Sequence, residues 1–148
     1  MDQLDNVLDD IQQTCEDVAV DMFGESNKQR WENPRFAGEI ENPDGVGEIT
    51  GECRDMIRIY LTIENEIITK ALFYTTGCGS SIVSADMCCE LATGKNVDEA
   101  SEISGEDIIK ALGRIPSDKT HCAHLASSSL QEALGNWMEK KKKKQELH

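Results

Sequence analysis

Cys53, Cys78 and Cys122 are the side chains whose chemistry can be joined, with Asp55 two residues after the first and His121 just before the last. Iron and zinc favour thiolate and imidazole ligands in tetrahedral sites. A [2Fe–2S] cluster takes four protein ligands, usually thiolates. Three cysteines therefore leave one position to a different residue, Asp55 or His121. A carboxylate is a harder ligand than a thiolate and binds an iron–sulfur iron less firmly, so such a site releases what it holds. Gly77 and Gly79 flank Cys78 and let the backbone approach sulfur closely. Cys122 is expected at a helix start, where the positive end of the dipole favours a thiolate. His121 beside it can serve as base or as ligand.

The elements that must position these groups follow from periodicity. Residues 55–63, DMIRIYLTI, alternate with period two, as a half-buried strand does. Glu64, Asn65 and Glu66 make a polar turn, and residues 67–75, IITKALFYT, read as the returning strand of an antiparallel hairpin. Such a hairpin brings the start of its first strand beside the end of its second, and so Cys53 beside Cys78. A short edge strand is expected around Val46 to Thr50. After Cys78 a helical pattern runs to Gly94. Asn96 or Asp98 caps a short helix, and Ser104 with Asp107 resembles a capping box for a helix that Gly113 ends. The last helix starts near His121, with Leu125 or Ala126, Leu130, Ala133, Leu134 and Trp137 as its apolar stripe. At the other end, Leu4, Val7, Leu8, Ile11, Cys15, Val18 and Met22 recur at steps of three and four, the mark of an amphipathic helix over residues 3–23. Strands first and helices after them predict an α+β fold: a small antiparallel sheet of about three strands, helices packed on one face, and an N-terminal helix.

Composition narrows the function. A net charge of −13 in 148 residues repels nucleic acid. The one basic run, Lys140 to Lys144, reads as the end of a helix or a solvated tail, with the chain beyond it frayed by the repulsion of like charges. No apolar stretch approaches the length of a membrane span. The acidic start MDQLDNVLDD lacks the basic and apolar regions of a secretory signal. The expected compartment is the cytoplasm, where thiols stay reduced and six cysteines serve metal binding, chemistry or packing rather than disulfides. The cysteines are widely spaced and contain no CxxC pair, so on residues alone a shared thiol site and scattered structural cysteines both stand. Cys15 reads as a core residue, and so does at least one of Cys88 and Cys89. His124 reads as a surface residue, Trp31 and Trp137 as packing anchors, and Glu52 and Glu90 as solvated.

From Trp31 to about Trp137 the chain resembles the IscU/NifU-type iron–sulfur cluster assembly scaffolds. Asn33-Pro34-Arg35 followed by Gly38 is similar to the family's NPR-x-x-G element, and Cys53-Arg54-Asp55 to its CGD motif. Thr76-Gly77-Cys78-Gly79-Ser80 resembles GCG[SA], Gly94-Lys95 with Asp98-Glu99-Ala100 resembles GK-x-x-DEA, and Lys119-Thr120-His121-Cys122 resembles K-x-HC. The resemblance implies a scaffold rather than an enzyme. A cysteine desulfurase supplies sulfur as a persulfide, iron comes from a donor, and a labile [2Fe–2S] cluster forms before passing to apo client proteins. By matched position the site is Cys53, Cys78, Cys122, Asp55 and His121, with Cys122 as persulfide acceptor and Lys119, Gly77 and Gly79 around it. Zinc can occupy such a site without iron, and a homodimer sharing a cluster is compatible with it. The implied domains are a helical extension over 1–30, the scaffold domain over 31–139 and a basic tail over 140–148.

Two departures stand out. Arg54 replaces the glycine of CGD, placing bulk and positive charge beside two candidate ligands. Ile115-Pro116-Ser117-Asp118-Lys119 stands where the family has an LPPVK-like chaperone-recognition segment. The alternative reading is a zinc-binding persulfide acceptor that transfers sulfur and activates a desulfurase. The short interval between Cys78 and Cys122 and the presence of His121 point away from that zinc-dependent, SufU-type branch.

Overall fold

The computed structural model describes residues 27–52, 54–113 and 115–146. The expected helix over residues 3–23, with Cys15, lies outside the described residues, as do Cys53 and His148.

Three strands form one antiparallel sheet in the order β1 (Gly45–Thr50), β2 (Met56–Glu64), β3 (Ile67–Thr75). Alternation dictates the core face: Ile57, Ile59, Leu61 and Ile63 of β2 are buried, with Ile68, Ala71 and Phe73 of β3. Residues one step out of phase face the other way. There Arg58 pairs with Glu48 of β1 and lies 5.7 Å over the ring of Tyr74. The hairpin turn is two residues long, with positive φ at both Asn65 and Glu66, the backbone that matches the twist of the strands. Its register sets Ile57 opposite Thr75 and Ile59 opposite Phe73, so β2 starts where β3 ends.

Among the described residues the long helices pack on the one apolar face. Residues 27–32 are helical (α1), followed after the sheet by α2 (Gly79–Ala92), α3 (Val97–Ala100), α4 (Gly105–Leu112), a 3-10 turn (Ser117–Lys119) and α5 (His121–Glu146). The caps are those the sequence predicts. The Asn96 side chain accepts from the Glu99 N–H, and Ser104 and Asp107 form a reciprocal capping box. Helix α2 is not amphipathic: small and apolar residues surround it, and ten of its positions are buried, as expected of a helix enclosed on every side. Helix α5 crosses β1 so closely that a Cβ on Gly47 would overlap the backbone of Ser129 and Ala133.

The lysine run ends a helix, the first of its two expected readings, since α5 continues through it to Glu146. Lys141 pairs with Glu66 at 2.6 Å and lies 5.1 Å over Trp137, and Lys140 donates to the carbonyl of Pro43 at 3.3 Å. These contacts tie the cations to the hairpin end, and positive charge suits a helix C-terminus. Among the described residues no helix is long and apolar enough to cross a membrane.

Candidate metal centre

Three segments meet at the end of the sheet where β2 starts and β3 stops. The Thr76 N–H donates to the Met56 carbonyl at 3.2 Å, and the Met56 N–H to the Thr76 hydroxyl at 3.3 Å, fastening the loop before β2 to the loop after β3. The first loop turns sharply. Gly51 N–H donates to the Asp55 carbonyl at 2.8 Å, and Arg54 N–H to the Gly51 carbonyl at 3.0 Å. Arg54 sits in this turn at φ 66°, in left-handed backbone. Such backbone costs a side-chain-bearing residue roughly 1–2 kcal/mol. The third segment is the 3-10 turn and the first residues of α5, carrying Lys119, His121 and Cys122.

The ligand atoms of Asp55, His121 and Cys122 all lie within 4.8 Å of one another. His121 Nε2 is 3.6 Å from Cys122 Sγ. A carboxylate, an imidazole and a thiol at this separation are a donor set that suits zinc or iron. Cys78 lies outside this tight group, yet near enough to Asp55 and Cys122 for their charges to act on one another.

The two described thiols of the site differ. Cys78, at the N-cap of α2, is exposed. Partial burial raises its pKa, but the backbone N–H groups of Ser81 and Ser80 and the charge of Lys119 outweigh that, and the net shift is downward. Neither N–H makes a full hydrogen bond to the sulfur; the effect is that of the helix end as a whole. Cys122 is completely buried. Burial pushes its thiol up, the Ser81 hydroxyl opposes this, and the negative charges of Cys78 and Asp55 add to it, with Lys119 opposing weakly. The helix-start argument for a ready thiolate at Cys122 is thus corrected: burial wins there, and the ready thiolate is Cys78.

The flanking glycines also have a different reason from the one expected. A Cβ on Gly77 would overlap the Ser81 side chain, and one on Gly79 would come within 2.8 Å of the Trp31 ring. Trp31, 36% exposed, thus packs over Gly79, the residue after Cys78. Lys119 is half-buried and favours both thiolates. His124 is exposed and packs on Gly105, away from the ligand group.

Cys88 and Cys89 are both core residues. Burial drives the Cys88 thiol up to about 12 and lifts Cys89 well above the ordinary range, with the charges of Cys88 and Asp86 adding to it.

Two residues near the site escape the sequence reading. Ser81 is fully buried, with its hydroxyl 3.4 Å from Asp55 Oδ2 and 3.5 Å from Cys122 Sγ. Asp86, also fully buried, accepts from Arg30 at 2.5 Å and from the Phe36 N–H at 2.8 Å. The signal for Asp86 was an acid with small and apolar residues on both sides, which demands a partner. Glu90, expected to be solvated, pairs with Arg30 at 3.3 Å and Arg35 at 3.2 Å. Together these bonds lash the segment containing Asn33-Pro34-Arg35 to α2.

The NifU-like N terminal domain family model matches residues 22–144. The chain is 34% identical over 120 residues to the iron-sulfur cluster assembly scaffold protein IscU 1 of Archaeoglobus fulgidus, an alignment covering 80% of this chain and 78% of that protein. It is 34% identical over 127 residues to the iron-sulfur cluster assembly scaffold protein IscU of Escherichia coli K12, covering 82% and 98%. Among solved structures, a NifU-like protein (N-terminal) from Brucella abortus shares the fold with a TM-score of 0.63 at 15% identity, over 82% of this chain and 97% of that one.

Proposed function

The chain belongs to the NifU-like N-terminal domain family, and from that premise we propose that it is a scaffold on which a labile iron–sulfur cluster is assembled and then handed on. The observation that carries this reading is the convergence of Asp55, His121 and Cys122 within 4.8 Å at the open end of the hairpin. The cluster is cargo, a [2Fe–2S] unit held by Cys53, Cys78 and Cys122 with Asp55 or His121 as the fourth ligand. A carboxylate or imidazole in place of a fourth thiolate keeps the hold weak enough for release.

Cys78, exposed and already favoured as thiolate, is ready for iron. Cys122 is the acceptor of sulfur. His121, 3.6 Å from its sulfur, takes the thiol proton. The thiolate then attacks the outer sulfur of the persulfide carried by a cysteine desulfurase. One S–S bond forms on Cys122 as the donor's S–S bond breaks, the donor cysteine leaves as thiolate, and no net oxidation occurs. Iron reaches the site from a donor protein, and apo iron–sulfur proteins receive the product. Free thiols at Cys78 and Cys122 fit a reducing compartment, the cytoplasm.

The test is anaerobic reconstitution with iron, cysteine and a cysteine desulfurase, followed by visible spectra, iron and sulfide counts and transfer to an apo-ferredoxin. A chromophore that requires Cys53, Cys78 and Cys122 and moves to the acceptor is the expected result. The same Asp–His–Cys group suits zinc, which supports the second reading, a zinc-bound sulfur-transfer protein that activates a desulfurase. Tight zinc with no chromophore selects that reading.

A further inference from the structure

We propose that Ser81 is a positioning residue, whose hydroxyl holds the Asp55 carboxylate and the Cys122 sulfur in the relative placement that an incoming metal ion needs. This rests on the metal-site reading above.

Ser81 Oγ lies between the two donors, 3.4 Å from Asp55 Oδ2 and 3.5 Å from Cys122 Sγ. Asp55 reaches the site from the loop before β2 and Cys122 from the start of α5, so the hydroxyl joins segments that are far apart in the chain. Its own position is fixed on three counts. The residue sits in the first turn of α2, it is completely buried, and a Cβ on Gly77 would overlap its side chain, so the space beside it is closed. A hydroxyl has one proton to give and here faces two acceptors. When sulfur is taken up by metal, the proton remains available to one carboxylate oxygen and leaves the other free to ligate. Groups that orient metal ligands in this way typically contribute 10–100-fold to metal affinity.

Ser84 supplies a matched control. It lies one turn further along the same helix, is equally buried, and among the described residues its Oγ has no hydrogen-bond partner. Any effect of removing a buried hydroxyl from α2 in general appears at Ser84 as well as at Ser81.

The experiment measures Zn2+ affinity of the full chain by competition with a chelating dye, and the absorption spectrum with Co2+, for wild type, Ser81→Ala, Ser84→Ala and Cys122→Ala. We expect Ser81→Ala to weaken zinc by about 10–100-fold and to shift the thiolate-to-cobalt band, with the thermal midpoint of the metal-free protein unchanged. Ser84→Ala should bind as wild type. Zinc affinity unchanged in Ser81→Ala, or lowered equally in both serine variants, overturns the positioning role while leaving the metal site standing. Wild type that binds no zinc, or Cys122→Ala that binds as wild type, overturns the metal site itself and the inference with it.

Discussion

Cys78 stands at the start of α2, exposed, with its thiol held below the ordinary value; Cys88 and Cys89, about three turns along the same helix, are buried and pushed upward, Cys88 to about 12. The residue type is the same and the helix is the same. What differs is the distance from the helix end and from water. At the first turn, unpaired N–H groups and Lys119 offer positive potential to sulfur. Further along the helix every N–H is spent on the helix itself, and desolvation dominates, with the charges of Cys88 and Asp86 adding to it at Cys89. Sulfur chemistry on this scaffold is therefore assigned by position within the element. The ligation proposed above falls to the start of α2, and its later turns serve as packing.

The comparison breaks most readily at the level of metal. Cys78→Ser and Cys122→Ser should each lose at least about 10-fold in iron retained after reconstitution, in keeping with the loss of a metal ligand. Cys88→Ala should retain a full chromophore; iron counts and visible absorption decide, and equal loss at Cys88 would erase the distinction between the two regions. The next effect is on stability. Asp86→Ala leaves Arg30 without its buried partner and should cost about 3–5 kcal/mol in urea unfolding, whereas Glu90→Gln, at a partly exposed pair, should cost under about 1 kcal/mol.

A finer test uses pH. Because the Cys78 pKa is lowered and that of Cys122 raised, the thiolate of Cys78 fills in at lower pH than a free cysteine's and that of Cys122 at higher pH. Alkylation of the metal-free protein, mapped by mass spectrometry across neutral to alkaline pH, should label Cys78 before Cys122, with a Cys78 midpoint below that of a free thiol, while the buried Cys88 and Cys89 stay unlabelled over the same range. The smallest effect is at the neighbouring turn. Arg54→Gly removes a side chain from left-handed backbone and should raise stability by about 1 kcal/mol, seen as a higher thermal midpoint with the Cys78 alkylation profile unchanged.

Much of the frame was legible in advance because its causes are local. Ile57, Ile59 and Leu61 alternate with polar neighbours, and that alone sets the face of β2. Asn65 and Glu66 sit between two such runs and make the turn. Asn96, Ser104 and Gly113 mark helix ends by chemistry that reaches only three or four residues. The candidate ligands were named from residue type and from motif resemblance, and three of them, Asp55, His121 and Cys122, meet in the structure. The local reasons given for their behaviour fared less well. Burial overrides the helix start at Cys122, and the glycines beside Cys78 make room for Ser81 and Trp31.

Chain order by itself determined the period of each element, the caps, the sign of the overall charge and which side chains are candidates for metal, since these depend on the residues themselves or on neighbours within one turn. The tertiary structure alone decided that Cys122 is buried and Cys78 is not, that Ser81 spans Asp55 and Cys122, that Asp86 is held by Arg30, and that the lysines of α5 are pinned to the hairpin end. Each of those rests on groups far apart in sequence. Desolvation and hydrogen bonding act over a few ångströms of space, and only folding sets which distant residues share that space.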